Sequence, residues 1–291
     1  MVLMPSPETI FIESGPLSAR FRSDWGGRMT HLVHAEMGDI LAPTQADVFE
    51  PYNWPRAGAY PLVPYHNRVY GASFVESGKT HRLLPHPALT PDAMHGPAHR
   101  RPWHVASAAE DRVTLQLNYE ADDEWPFSFV AEQHFRLEPD RLIVELSIIN
   151  SSDASAPVSL GWHPYLAVPL SSHAETDARL EYPLDALNVP TGNEAHPRSS
   201  RSIPAATGYT LHFRYWSTAT VELDKGTLLL EADPIFEYLA VHRMEKYLCL
   251  EPVSMAAGAL CLPETERESR GLRTILPEGR LSGRISLSIR G

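Results

Sequence analysis

Short runs of alternating apolar and polar residues recur along most of the chain. This pattern is typical of β-strands with one buried face, because successive side chains of a strand point to opposite sides. The clearest runs are residues 113–117, 127–131, 133–137, 141–150, 209–215, 219–223, 227–231, 237–243, 247–251 and 284–289. Their spacing of about 8–12 residues, without an amphipathic helix longer than about two turns, is typical of antiparallel sandwiches or barrels rather than α/β folds. We therefore predict an all-β fold with few short helices.

The segments between these runs predict how the strands connect. Residues 9–22 have the pattern of a hairpin. Residues 51–66, rich in Pro, Tyr and Trp, and residues 183–207, rich in Pro, Gly, Asn and Ser, predict loops. The polar residues 263–271 predict an exposed loop. Because the composition does not shift and neither a Gly/Ser linker nor an internal repeat occurs, we predict one domain over residues 1–291.

Composition and charge restrict the class of partner. The 291-residue chain has 43% hydrophobic residues, enough for a packed core, and a formal net charge of -11 with histidine neutral. This acidity argues against nucleic acid or an anionic membrane as the partner. The two cysteines, Cys249 and Cys261, form neither a disulfide framework nor a metal-type pair. Since there is no basic leader and no apolar run of about 18 residues, the sequence predicts a cytoplasmic protein.

A histidine with a restricted backbone follows the long alternating run of residues 141–150. His163 comes after Trp162 and directly before Pro164. Because proline disfavours helical geometry in the residue before it, His163 is expected to lie on extended chain at the end of a sheet. Imidazole titrates near neutral pH, so this side chain can donate or accept a proton in a reaction. The alternative is a core histidine with a satisfied hydrogen bond.

Three further segments combine polar groups with residues that restrict the backbone. Arg68, which follows Asn67, offers a fork of donors that fits sugar hydroxyls or a carboxylate, or else forms a surface ion pair. His95 precedes Gly96, which permits close backbone approach, so His95 could donate to a ligand oxygen or simply occupy a turn. Glu251 ends an apolar run. Burial there would raise its pKa and make it a better base, whereas an edge position would point it into water.

No segment has the spacing of a metal or nucleotide site. The histidine pairs at 31 and 34, 81 and 86, and 95 and 99 lack companion carboxylates at ligand spacing. A glycine-rich phosphate loop and a nucleophile elbow are also missing from the sequence. We therefore predict no metal ion and no cofactor. Trp162, Tyr65, Tyr165 and Trp216 could stack on the apolar face of a sugar, although such side chains are more often plain core.

In their order along the chain, these segments resemble the aldose 1-epimerase (galactose mutarotase-like) family. The segments that carry the resemblance are residues 25–27, 64–71, 95–96, 161–165 and 249–252. They supply, in turn, an early Gly-Gly turn, an asparagine–arginine motif, a first histidine, a histidine between aromatics and a C-terminal glutamate. Each motif is short, and the resemblance rests on their shared order over residues 25–252.

The resemblance implies a large antiparallel β-sandwich with an open cleft on one face. It also implies that the protein interconverts the α and β anomers of a free aldose without a cofactor. Glu251 would be the general base that removes the proton of the C1 hydroxyl, and His163 would be the general acid that protonates the ring oxygen. The partner would be a small-molecule sugar. Its expected contacts are Asn67, Arg68, His95, Trp162 and His212.

One position departs from the family pattern. The family usually carries a sugar-contacting aspartate between the histidine and glutamate segments, whereas residues 208–214 contain no carboxylate and His212 stands there instead. Arg214 together with Arg68 could favour a phosphorylated or acidic sugar. A non-catalytic carbohydrate-binding protein on the same scaffold is an alternative. So is a lyase or hydrolase, which would need a second carboxylate near Glu251. The sugar and the oligomeric state, monomer or homodimer, stay open.

Overall fold

The computed structural model describes residues 9–186 and 195–291, and nearly all of its regular structure is strand. In chain order the strands are β1 Ile10–Ser14, β2 Leu17–Arg22, β3 Arg28–His34, β4 Gly38–Asp39, β5 Ala59–Pro61, β6 Arg68–Val69, β7 Ser73–Glu76, β8 Lys79–Arg82, β9 Ala93–Met94, β10 His104–Ala108, β11 Arg112–Tyr119, β12 Phe129–Glu138, β13 Arg141–Asn150, β14 Ala156–Val158, β15 Trp162–Leu166, β16 Ala174–Thr176, β17 Leu180–Glu181, β18 His196–Pro197, β19 Tyr209–Arg214, β20 Thr218–Leu223, β21 Gly226–Ala232, β22 Tyr238–Arg243, β23 Leu248–Val253, β24 Arg273–Ile275 and β25 Arg280–Arg290. The helices are α1 Glu264–Arg267 and the 3₁₀ turns Tyr70–Ala72, Pro97–Arg100, Ala259–Cys261 and Glu268–Arg270. Within these described ranges, no helix has the length and apolar character needed to cross a membrane.

Two antiparallel sheets form the body of the fold. The first has 11 strands in the order β1-β2-β3-β5-β15-β23-β22-β19-β17-β18, with β4 beside β3. The second has 8 strands in the order β10-β11-β12-β13-β25-β21-β20-β16. The long strands of both sheets pair antiparallel. The predicted all-β fold and the large antiparallel β-sandwich are therefore confirmed.

The core lies between the two sheets. Along β12, alternate residues are buried from Phe129 to Leu137, as expected for a strand with one face against the core. Phe135 of this strand meets Phe21 of β2 with ring centroids 4.8 Å apart, which joins the second sheet to the first. Buried apolar residues from Ile12 to Ile289 belong to one cluster. The prediction of one domain over the whole chain stays a prediction.

The prediction of an exposed polar loop at residues 263–271 is confirmed for the exposure of residues 263–265, 268 and 269, and wrong for the loop. This segment contains α1 and a 3₁₀ turn, and its residues Arg267 and Arg270 are buried. The guanidinium of Arg267 lies 3.0 Å from Glu76 Oε2, and its Nε donates to the carbonyl oxygen of Leu262. Because an ion pair and a hydrogen bond compensate its charge, the side chain of Arg267 can be buried. The polarity of the segment therefore did not predict the burial of Arg267.

The other connecting segments agree better with the sequence. The hairpin at residues 9–22 is present as β1 paired with β2. Residues 51–66 form the predicted loop except for β5, Ala59–Pro61, which lies inside the first sheet. The described part of the predicted loop 183–207 contains the short strand β18. Residues 187–194 of that loop lie outside the described residues.

Candidate active site

Five neighbouring strands of the first sheet carry a row of side chains on one face. In the order β5-β15-β23-β22-β19, Tyr60 pairs with His163, and Ala240 pairs with both Glu251 and His212. The β15–β23 pairs on either side put His163 opposite Glu251. Because cross-strand partners point to the same face of a sheet, strand register brings together groups that are far apart in sequence.

A cavity of about 340 Å³ opens over this row. Its size is that of a small-molecule site, and its lining mixes aromatic rings with hydrogen-bonding groups. The lining residues are Tyr52, Asn53, Trp54, Arg56, Tyr60, Asn67, Arg68, His86, Ala88, Leu89, Met94, His95, His163, Tyr165, Thr210, His212, Ala240, His242, Tyr247 and Glu251. Among these residues Glu251 is the sole carboxylate.

His163 and Glu251 form a close pair at the cavity wall. The Nε2 atom of His163 lies 3.3 Å from Oε1 of Glu251, and each residue is 7% exposed. Burial raises the pKa of Glu251 to about 8, because a carboxylate loses hydration there. Burial, together with the positive charges that His95 and Arg28 can carry, lowers the pKa of His163 well below its usual value. The pair therefore holds one proton around neutral pH, and burial alone favours its place on the carboxyl.

Aromatic stacking fixes the ring of His163. Tyr60 and Tyr165 each stack against it with centroids 4.7 Å apart. The fully buried Arg28 lies over the Tyr60 ring, 4.6 Å from its centroid, and donates to the carbonyl oxygen of Ala57 at 2.7 Å. These contacts hold the imidazole in one plane and orient its Nε2 atom towards the carboxyl group.

The asparagine–arginine and first histidine segments interlock beside the pair. Asn67 donates its backbone N–H to Nδ1 of His95 at 3.0 Å, and His95 donates its own backbone N–H to the carbonyl oxygen of Asn67. Burial lowers the pKa of His95 well below its usual value, so its ring is neutral. Since Nδ1 accepts a hydrogen bond, the ring proton lies on Nε2, which is therefore a donor. Arg68 is held by Asp92, with Nη1 3.3 Å from Oδ2.

Six of the seven residues that the sequence predicts for the site line this cavity: Glu251, His163, Asn67, Arg68, His95 and His212. His212 takes its place through Ala240, which lies between it and Glu251 in the sheet. The two parts of the chain that carry the proton-transfer groups, β15 and β23, are neighbours in the sheet.

Two sequence-based expectations about substrate contacts do not fit this geometry. Trp162 is fully buried and does not line the cavity, because adjacent residues of β15 point to opposite faces and His163 takes the cavity face. Arg214 also lies away from the cavity, with Nε donating to Glu237 at 2.9 Å. Trp162 is therefore a core residue, and Arg214 gives no support for an acidic sugar.

Several lining residues were not predicted from the sequence. Arg56 is exposed at the cavity, in a segment predicted only as a loop. Thr210 and His242 lie two residues from His212 and Ala240, on the same face, and the Thr210 hydroxyl is 3.2 Å from His242 Nδ1. A period-2 count from His212 would have found Thr210, whereas no local pattern marks Arg56.

The comparisons with known proteins agree with this architecture. Residues 11–287 match the model of the aldose 1-epimerase family. The chain belongs to the aldose 1-epimerase family. The family prediction from the sequence motifs is thereby confirmed.

Two curated relatives match part of the sequence, and a solved structure matches the fold. YphB of Escherichia coli strain K12, an uncharacterised protein, is 32% identical over 123 residues, which are 42% of this chain and 41% of YphB. YihR of the same strain, also uncharacterised, is 27% identical over 112 residues, which are 38% of this chain and 36% of YihR. The matched stretches thus span about two fifths of these curated relatives. A galactose mutarotase-like protein from Clostridium acetobutylicum superimposes with a TM-score of 0.86 at 20% identity, over 100% of this chain and 97% of that chain.

Proposed function

We propose that this protein catalyses the interconversion of the α and β anomers of a free aldose by general acid–base catalysis, without a cofactor. The observation that carries the proposal is the buried pair of His163 and Glu251, 3.3 Å apart in a cavity of small-molecule size. Membership of the aldose 1-epimerase family supports the same reaction.

In the proposed mechanism, two proton transfers open the sugar ring. Glu251 takes the proton of the C1 hydroxyl while His163 gives a proton to the ring oxygen. The electron pair of the O–H bond forms the carbonyl, and the bond between C1 and the ring oxygen breaks. Rotation about the C1–C2 bond then presents the other face of the aldehyde, and the reverse transfers close the ring as the other anomer. Each positioned proton transfer typically contributes about 10²–10⁴-fold to the rate.

The assignment of Glu251 as base and His163 as acid requires that the single proton of the pair can move from the carboxyl group to the imidazole. Burial favours the protonated carboxyl and the neutral imidazole, since it raises the pKa of Glu251 to about 8 and lowers that of His163. A sugar hydroxyl that donates to Glu251 favours the ionised carboxylate. One proton transfer over the 3.3 Å between Oε1 and Nε2 then produces the reactive form, with Glu251 as base and His163 as acid.

Other lining groups are suited to hold the sugar. His95 supplies an Nε2–H donor in a fixed tautomer, because its Nδ1 accepts from Asn67. Arg68 supplies guanidinium donors while its charge is balanced by Asp92. His212 lies in the row beside Ala240, in the region where the family usually has an aspartate. Such a set of donors suits the hydroxyls of a neutral aldose.

The decisive experiment follows the equilibration of fresh α-D-glucose and α-D-galactose by polarimetry, after subtraction of the spontaneous rate. Glu251→Gln keeps the shape but cannot accept the proton, so we expect kcat to fall about 10²–10⁴-fold. Glu145→Gln, an exposed change on β13, is the matched control and should retain full activity. Full activity in Glu251→Gln would show that another group is the base. Sugar binding without any acceleration by the wild type would instead identify a non-catalytic carbohydrate-binding protein.

A second candidate function is the same reaction on a phosphorylated or acidic aldose. Arg56 favours it, because this exposed side chain lines the cavity and no carboxylate of the described residues forms an ion pair with it. Arg56 lies near Tyr247, where burial raises the pKa of the phenol and the guanidinium opposes that rise.

Variants of Arg56 separate a neutral from an anionic substrate. For a hexose 6-phosphate, Arg56→Gln should raise KM about tenfold, because a charge-assisted hydrogen bond is lost. KM for the neutral hexose should not change. Arg82→Gln, an exposed arginine outside the cavity lining, is the control. If the wild type does not prefer the phosphate over the free hexose, the anionic substrate is excluded.

A further inference from the structure

A third side chain lies next to the His163–Glu251 pair and has no part in the proposed proton transfers. One ring nitrogen of His163, the Sγ atom of Cys249 and a carboxylate oxygen of Glu251 all lie within 4.8 Å of one another. All three residues are buried. Burial raises the pKa of the Cys249 thiol, and the nearby Glu251 raises it further. The thiol is thus close enough to the carboxyl group to sense its charge.

The sheet fixes this arrangement. Cys249 and Glu251 are two residues apart on β23 and point to the same face. Cys249 pairs with Tyr165 across to β15, and His163 lies on the same face of β15, two residues from Tyr165. Because backbone hydrogen bonds hold both strands in register, the three side chains stay together on one face of the sheet.

The three groups form a donor set that zinc prefers. Thiolate sulfur, imidazole nitrogen and carboxylate oxygen bind Zn²⁺ at about 2.0–2.3 Å, and tetrahedral geometry then places the ligand atoms about 3.5 Å apart. The Nε2 atom of His163 and Oε1 of Glu251 already lie 3.3 Å apart. Both of these residues also line the cavity, so an ion bound here would have its remaining coordination position open to that cavity.

We propose that Cys249, His163 and Glu251 form a binding site for a thiophilic divalent cation such as Zn²⁺, and that the bound ion inhibits the enzyme. On binding, the thiol and the carboxyl group release their protons to solvent, and no bond of the protein breaks. The ion then occupies the carboxylate oxygen that would accept a proton and the ring nitrogen that would carry the proton to be donated. The inhibition rests on the proposed function, whereas the metal site does not.

Metal binding is tested on the whole protein by titration with ZnCl₂ in a calorimeter, and by absorption after addition of Co²⁺. The chain has two cysteines, and Cys261 is the natural control, because it is only partly buried and its sulfur accepts a hydrogen bond from the Tyr70 N–H. We expect one ion per chain and a thiolate-to-cobalt charge-transfer band in the wild type and in Cys261→Ser. Cys249→Ser should lose the band and at least tenfold in affinity for zinc. Equal affinity and an unchanged band in Cys249→Ser would overturn the site.

X-ray absorption of zinc-loaded Cys261→Ser provides a test that does not depend on a change at the site. In that variant Cys249 is the only cysteine left, so a sulfur neighbour at about 2.3 Å assigns it as a ligand. A zinc shell of nitrogen and oxygen alone would exclude Cys249. This measurement also decides the matter if Cys249→Ser does not fold.

Inhibition is measured in the anomerisation assay over a range of zinc concentrations. Cys249→Ser should retain the uninhibited rate within about twofold and need at least ten times more zinc for half inhibition, while Cys261→Ser should behave as the wild type. Equal inhibition of all three proteins would overturn the inhibitory role. If no aldose is converted at all, the proposed function fails, and the calorimetric and cobalt results still decide on the metal site.

Discussion

At the scale of single residues, the chemistry of the site depends on two opposite effects of burial. The carboxyl group of Glu251 gains protons more readily in the low-dielectric wall of the cavity, and its pKa rises to about 8. The imidazole of His163, which stacks against Tyr60 and against Tyr165, becomes harder to protonate, and its pKa falls. Together these shifts keep one proton on the pair over a broad range around neutral pH.

The pH dependence of kcat/KM follows from this single proton. Above about pH 8 the pair loses its proton, so the acid is missing and kcat/KM should fall about tenfold per pH unit. On the acidic side a second proton removes the base only well below the usual imidazole pKa, because the pKa of His163 is lowered. We expect a plateau between these limits, measured by polarimetry in overlapping buffers. A fall of kcat/KM that begins near pH 6.5 on the acidic side would contradict the shift of His163.

At the scale of elements, one tight loop contact positions the sugar-binding donors. The backbone of Gly96 packs closely on the loop that contains Val63 and Pro64. An added Cβ atom would lie 2.1 Å from the Val63 carbonyl oxygen and 2.5 Å from Cδ of Pro64. Directly before it, His95 exchanges two hydrogen bonds with Asn67. The absence of a side chain at Gly96 therefore lets two separate segments present their polar groups to one cavity.

Gly96→Ala tests this contact. The added methyl group has to push the two loops apart, which should destabilise the protein by about 1–3 kcal/mol and move His95 away from its place. We expect a lower midpoint in urea unfolding and a higher KM for the aldose. Unchanged stability together with an unchanged KM would show that the loops accommodate a side chain and do not position the site.

At the scale of the whole molecule, the first sheet is covered on both faces where it carries the site. Every residue of β15 and of β23 is buried, whereas β12 in the second sheet alternates between buried and half-buried residues. The cavity over His163 and Glu251 occupies one face, and the side chain of Trp162 fills the other. The molecule thus uses one sheet mainly for packing and surrounds the other with loops that form the binding site.

This difference between the sheets also limited what could be predicted. Strand β12, which is buried on one face, and the more fully buried β13 were visible as alternation in the sequence, and the hairpin of β1 and β2 was bounded by turn residues. Arg267 of α1 and Arg270 of the neighbouring turn were expected in an exposed loop but are buried, and Glu76, the ion-pair partner of Arg267, is far away in sequence. A sequence pattern reflects local preferences, so it does not show which distant group will neutralise a buried charge.

The sequence by itself determined the strand content, the family and six of the residues that line the cavity, since alternation and short motifs are local properties. Only the tertiary structure decided that Trp162 belongs to the core, that Arg56 lies at the cavity and that Cys249 lies beside the His163–Glu251 pair. It also decided the protonation of that pair. These features depend on strand register and on burial, which arise only when segments far apart in the chain are brought together.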